Sequence, residues 1–189
     1  LAKFLGGPAI RRYNAKKREL IFTREGSNFM LDCKVDYRLV AAALDFSEFS
    51  EVTFAHALDQ ARAHGSELVI INVINNRGLD VLDRLTAEGF DLGGKEGYLT
   101  RVKAERQDLL DKEYLPAAQG VKTRVVFRVG HPHDELLRAL KDENVSLLVM
   151  GAKGRSNLAG ALFGSTAEKA FRRATCPVLS VRGPEHCRL

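Results

Sequence analysis

Cysteine is scarce in this chain: Cys33, Cys176 and Cys187 are its three thiols in 189 residues. An odd, widely spaced set of this kind is neither a disulfide framework nor a metal-ligand cluster. Free thiols point to a reducing compartment, so the chain is expected in the cytoplasm. Cys176 stands before Pro177 at the start of an apolar run, where a buried structural thiol is the simplest reading. Long hydrophobic runs are missing as well. Nothing approaches the roughly 20 apolar residues that span a bilayer, so no membrane association is expected. The opening "LAKFLGGPAIRRYNAKK" puts its basic residues after a short apolar stretch, the reverse of a secretory signal.

Excess charge is missing from most of the chain, although the net charge is +5. Residues 1–37 carry eight Lys and Arg against four Asp and Glu, while residues 38–189 carry 21 against 20. The basicity therefore sits in the leader, and the nearly neutral body offers a polyanion little attraction. The body also lacks the basic stripe with interleaved aromatics that single-strand binders use. No nucleic-acid partner is expected.

Several catalytic signatures are absent too. No G-x-S-x-G elbow presents a nucleophilic serine, and no G-x-G-x-x-G follows the first strand-like run. "GFDLGGKE" (89–96) fits G-x-x-x-x-G-K, but Glu96 stands where a P-loop needs Ser or Thr, and polar "LDRLTAE" precedes it in place of a strand. His131 and His133 lack a third metal ligand nearby and are expected to face solvent. His56 and His64 lie eight residues apart, too far for an i, i+4 chelate.

What is present is a regular alternation of apolar strands and amphipathic helices from residue 38 onward. Strands are expected at 37–44, 67–74, 121–129, 145–150 and 177–182. Helices are expected from an N-cap at Ser47 to Gly65, then over 100–118, 131–144 and 165–175, with a helical turn in "LDVLDRLTAE". Phe49, Val52 and Leu58 mark the anticipated apolar face of the first helix. The order implies a doubly wound, five-stranded parallel α/β sheet spanning about 38–182, followed by a tail at 183–189. Residues 1–37 form an N-terminal extension. "ELIFT" and "NFMLDCKV" are two short strands around "REGSN" if the extension is a hairpin, and "RRYNAKKR" is a basic run. The alternative is a flexible arm.

The stretch "VMGAKGRSNLAGALFGSTAEKA" (149–170) joins the fourth strand to the last helix. Its glycines allow close backbone approach or φ > 0, and Gly164, Ser165 and Thr166 stand where a helix begins, with unpaired N–H groups and a partial positive charge. Lys153 and Arg155 add charge. By spacing alone the stretch is either a phosphate cradle or an ordinary capped corner.

The spacing Gly151-x2-Gly154-x9-Gly164-Ser165 closely resembles the G-x2-G-x9-G-[S/T] motif of universal stress proteins. The resemblance extends to "RLVAAALDFSEFSEVTFAHALDQARAHGSELVIINVI" and "VGHPHDELLRALKDENVSLLVMGAKG", so three separated blocks agree in order. It implies an adenine nucleotide α-hydrolase-like sheet with strand order 3-2-1-4-5, and a crevice where the first and fourth strands part. It further implies ATP, or ADP or AMP, as ligand, with Mg²⁺ as an accompanying ion. Asp45, after Ala43 and Leu44, would lie near the adenine. Val73 would offer it a backbone contact. Met150, Gly151, Lys153, Gly154, Gly164, Ser165 and Thr166 would hold the ribose and phosphates, Gly160 being filler. Ala43 departs from the Pro of many members, and Lys153 from a His or other polar residue.

The resemblance points to a nucleotide-binding sensor or regulator of stress responses that dimerises through strand 177–182 and acts on a protein partner the sequence does not name. No paired carboxylate or activated nucleophile appears in the loop, so hydrolysis is expected to be slow at most, with autophosphorylation at Ser165 or Thr166 as the other chemistry. The rivals are a nucleotide-free dimeric interaction module and a substrate-adenylating enzyme.

Overall fold

Alternate residues of one short strand, Leu39–Ala43, reach opposite cores, and the fold of the main body follows from that. The computed structural model describes residues 9–14, 19–24, 27–31, 36–77, 79–88, 94–154 and 163–183. Cys33, Cys187, Gly160, Arg155 and the tail from 184 onward lie outside the described residues, as do parts of the basic run and of "GFDLGG".

The chain divides into two units, Leu1–Asp36 and Tyr37–Leu189. The first holds an antiparallel sheet of β1 (Ala9–Asn14), β2 (Glu19–Arg24) and β3 (Ser27–Leu31), in that order. Two of these strands correspond to the hairpin alternative. The strand at Ala9–Asn14 was not expected, because Arg11 and Arg12 break its apolar alternation. The pairing with β2 is itself irregular between Ile10 and Arg12, as a bulge requires.

In the second unit, β4 (Leu39–Ala43), β5 (Glu67–Asn75), β6 (Thr123–Gly130), β7 (Leu147–Gly151) and β8 (Val178–Val181) pair in parallel in the order β6-β5-β4-β7-β8. Counted within this sheet, that is the expected 3-2-1-4-5. The helices are α1 (Ser50–His64), α2 (Leu79–Ala87), α3 (Gly94–Leu109), α4 (Pro132–Asp142) and α5 (Ser165–Arg173). Val40, Ala42 and Leu44 pack with Phe54, Ala57 and Leu58 of α1 and with Leu110 and Tyr114. Leu39 and Ala41 pack on the other face with Leu136, Ala139 and Leu140 of α4 and Ala167 and Ala170 of α5. A strand covered on both faces must be apolar at every position, which is why "LVAAA" reads as an unbroken run.

Two helix starts differ from expectation. The first helix starts at Ser50 with Phe49 in the N-cap position, not at Ser47. Its buried stripe is Ser50, Thr53, Phe54, Ala57, Leu58 and Ala61, one position out of phase with Val52, because two small hydroxyl residues lie inside it where hydropathy does not look for them. The helix expected over 100–118 begins at Gly94, widens into a π-helical turn at Leu110–Tyr114 and ends as a 3₁₀ turn at Leu115–Ala118. Pro116 lacks the N–H that would continue an α-helix, and the wide turn lets both Leu110 and Tyr114 reach the core. At the other end of α1, Gly65 adopts φ 63° and its N–H returns to the last turn, as a C-terminal glycine does.

Candidate functional site

The chain leaves β4 in one direction to build β5 and β6, and returns on the other side to build β7 and β8. At that reversal no crossover covers the carboxyl ends of β4 and β7, and a crevice opens. Its volume is about 550 Å³, within the range of small-molecule sites. All eleven residues singled out from the sequence line it: Ala43, Leu44, Asp45, Val73, Met150, Gly151, Lys153, Gly154, Gly164, Ser165 and Thr166.

The wall at the end of β4 is built around one carboxylate. Asp45 Oδ1 accepts the Ser47 N–H at 3.0 Å, the Ser47 hydroxyl at 2.6 Å and the Ser50 hydroxyl at 3.3 Å. This tight turn carries Phe46 at φ 58° and aims Asp45 Oδ2 at the glycine loop. A Cβ on Gly154 would collide with that oxygen, and a Cβ on Gly151 would come within 2.7 Å of the Lys153 carbonyl oxygen. Gly164 is different: its nearest neighbour to such a Cβ is Lys153 Cα at 3.5 Å, an ordinary contact. None of the three has a positive φ, so what the motif requires at Gly151 and Gly154 is room, not a left-handed backbone.

The loop is closed at its base. Ala152 N–H donates to Val181 C=O at 2.7 Å, and Gly164 N–H donates to Ala152 C=O at 2.8 Å. These bonds bring the start of α5 beside the end of β7 and hold Ser165 and Thr166 at the crevice. Neither hydroxyl caps the helix, whose N-cap is Gly164 without a side-chain bond. The first turn of α5 thus borders the crevice with no side chain capping its N–H groups.

Sequence reasoning missed a second set of residues. Asn72, fully buried within an apolar strand, donates to Leu44 C=O at 2.6 Å and accepts from Arg106 Nη1. Arg106 comes from α3, lies 5.9 Å over the Phe46 ring and has Nη1 3.5 Å from Val73 C=O. Thus α3 clamps the ends of β4 and β5 beside Asp45 and Val73. Thr53 also lines the crevice; its Oγ1 is buried without a hydrogen-bond partner among the described residues. Asn72 was hidden in an apolar run and Thr53 in a helical stripe, so no local pattern marked them. The expectation that His131 and His133 face solvent is corrected for His133: its side chain is 24% exposed, and both rings border the crevice.

Two groups outside the crevice titrate away from their ordinary values. Burial, with the negative charges of Glu51, Glu113 and Asp45, raises the Tyr114 phenol. Burial raises the Cys176 thiol, which keeps it protonated and unreactive at neutral pH. Among the described residues no group of three or more His, Cys, Asp or Glu could hold a metal ion, and no helix is long and apolar enough to cross a membrane.

The sequence profile of the universal stress protein family matches residues 36–182. The chain belongs to this family. It is 27% identical over 158 residues to universal stress protein MJ0577 of Methanocaldococcus jannaschii, covering 78% of this chain and 96% of that one. It is 29% identical over 152 residues to universal stress protein YxiE of Bacillus subtilis, covering 77% and 99%. The solved structure of MJ0577, described as a structure-based assignment of biochemical function, superposes with a TM-score of 0.64 at 27% identity, covering 78% of this chain and 97% of that one. A universal stress protein solved in complex with cAMP has the same fold, with a TM-score of 0.51 at 23% identity over 78% and 98% of the two chains. As a universal stress protein, this chain carries an additional three-stranded unit ahead of the family's domain.

Proposed function

We propose that the protein binds an adenine nucleotide, ATP in the first instance, in this crevice and works as a nucleotide-responsive regulator in stress responses. The observation that carries the reading is the junction of Asp45 with Gly154. A carboxylate tied by three local donors stands where a Cβ on Gly154 would collide with its Oδ2, and across the loop Gly164 opens a helix whose first turn no side chain caps. The base would sit near Asp45 and Val73, and the phosphates on Gly151, Lys153, Gly154, Gly164, Ser165 and Thr166. The unpartnered hydroxyl of Thr53 supports the fit, since a buried donor without a partner costs stability unless a ligand meets it. A relative solved with cAMP supports an adenine ligand.

Mg²⁺ would be held by the phosphates rather than by a protein cage, because magnesium keeps most of its waters and needs few carboxylates. Hydrolysis, if any, is slow: Asp45 has Oδ1 committed to the turn and is poorly placed as a general base. The edge strand β8 is the proposed seam of a homodimer, since an unpaired edge finds its two-fold mate. Calorimetric titration of ATP into the purified protein tests the nucleotide reading. Saturable binding supports it, and no heat of binding at millimolar ATP overturns it.

A further inference from the structure

The crevice continues past the glycine loop, between α4 and α5. There the Lys169 ammonium lies 2.9 Å from His133 Nε2. An ammonium group has donors only, so Nε2 accepts and the ring proton is on Nδ1. One of the three Lys169 donors is used in this way, which leaves two. No carboxylate pairs with Lys169 among the described residues; Asp134 lies 3.4 Å from the same imidazole nitrogen but does not line the crevice. Arg77 and Lys153 also border the cavity, against Asp45 as the one lining carboxylate among the described residues. A half-buried cation held in place by an imidazole nitrogen, with spare donors and no carboxylate paired to it among the described residues, is arranged for an incoming anion.

We propose that Lys169, positioned by His133, is a second anion subsite that takes the terminal phosphate of a nucleoside triphosphate. The inference rests on the adenine-nucleotide reading and deepens it. Lys169 lies four residues after Ser165, on the same face of α5 and about 6 Å along its axis. Helical side chains lean toward the N-terminus, so the long Lys169 side chain carries its charge back over the first turn. A nucleotide whose first phosphate rests at Gly164 and Ser165 meets Lys169 only if its phosphate chain is long enough. The crevice therefore selects triphosphate over monophosphate.

The test is a titration of ATP and of AMP, each with Mg²⁺, into the full chain and four variants. The unmodified protein is expected to bind ATP about tenfold tighter than AMP, the worth of a hydrogen-bonded charge pair. Lys169→Gln brings the two affinities within about twofold by weakening ATP alone. Lys169→Arg keeps the preference. His133→Gln, whose amide oxygen still accepts from Lys169, keeps most of it, and His133→Leu lowers it. A preference unchanged in Lys169→Gln, or ATP and AMP weakened equally, overturns the subsite. Equal binding of ATP and AMP by the unmodified protein overturns the subsite and leaves the nucleotide reading intact. No binding of either overturns both.

Discussion

The two walls of the crevice are built on opposite plans. On the β4 side nearly every polar group has a partner within the protein: Asp45 Oδ1 with Ser47 and Ser50, Asn72 with Leu44 and Arg106. On the α5 side the polar groups are left open: helix N–H groups without a cap, Lys153 and Lys169 without a carboxylate among the described residues. A satisfied network fixes shape, because breaking it strands buried groups. Unsatisfied donors at a surface cleft are free to read a ligand. The difference assigns rigidity to one wall and recognition to the other, with Gly154 at the contact between them.

The largest effect should come from that contact. Gly154→Val forces Asp45 aside and is expected to weaken ATP at least about a hundredfold while the far-ultraviolet circular dichroism stays native. Gly164→Ala, with room for its Cβ, should change affinity by less than about threefold. Equal losses in the two would show that the motif acts through backbone conformation and not through space. Next is the rigid wall itself. Asn72→Ala leaves Leu44 C=O without its side-chain donor and takes one acceptor from Arg106, and should cost about 1–3 kcal/mol in urea denaturation. A loss within experimental error would mean that α3 does not clamp the strand ends.

Thr53 separates the two plans within a single residue. Thr53→Val removes a buried hydroxyl that has no partner, so the ligand-free protein should gain about 1 kcal/mol. ATP should bind more weakly at the same time. A gain in stability with unchanged affinity would place Thr53 with the scaffold. The smallest effect concerns Tyr114. Its folded pKa is raised above the ordinary value of 10.0, mainly by burial. The unfolded phenol therefore ionises first, and the stability contributed below about pH 10 is lost as pH climbs through the raised folded value. Tyr114→Phe should show a shallower alkaline fall in thermal midpoint, and identical pH profiles would remove the phenol from the account.

Much of this was legible along the chain. Runs such as "LVAAA" and "LLVMG" are apolar because both faces of a parallel strand are covered, and each is buried at its first four positions without alternation. The glycine spacing marked one wall of the crevice, and Asp45 marked the other. The start of α1 was misplaced because Ser47 has the character of an N-cap, yet its N–H and hydroxyl both serve Asp45. The extent of α3 and the strand at Ala9–Asn14 were missed where charged residues dilute the local pattern.

By itself the sequence determined the alternation of strands and helices, the parallel sheet and the family's glycine spacing. Those are local matters: apolar periodicity and fixed offsets along the chain. Only the tertiary structure decided that Gly154 touches Asp45, that Asn72 receives Arg106 from 34 residues away, and that Lys169 meets His133 across two helices 36 residues apart. These contacts join elements whose separation along the chain carries no pattern. Strand order and packing bring them together, and in this crevice they set which donors are spent on holding shape and which are left for a ligand.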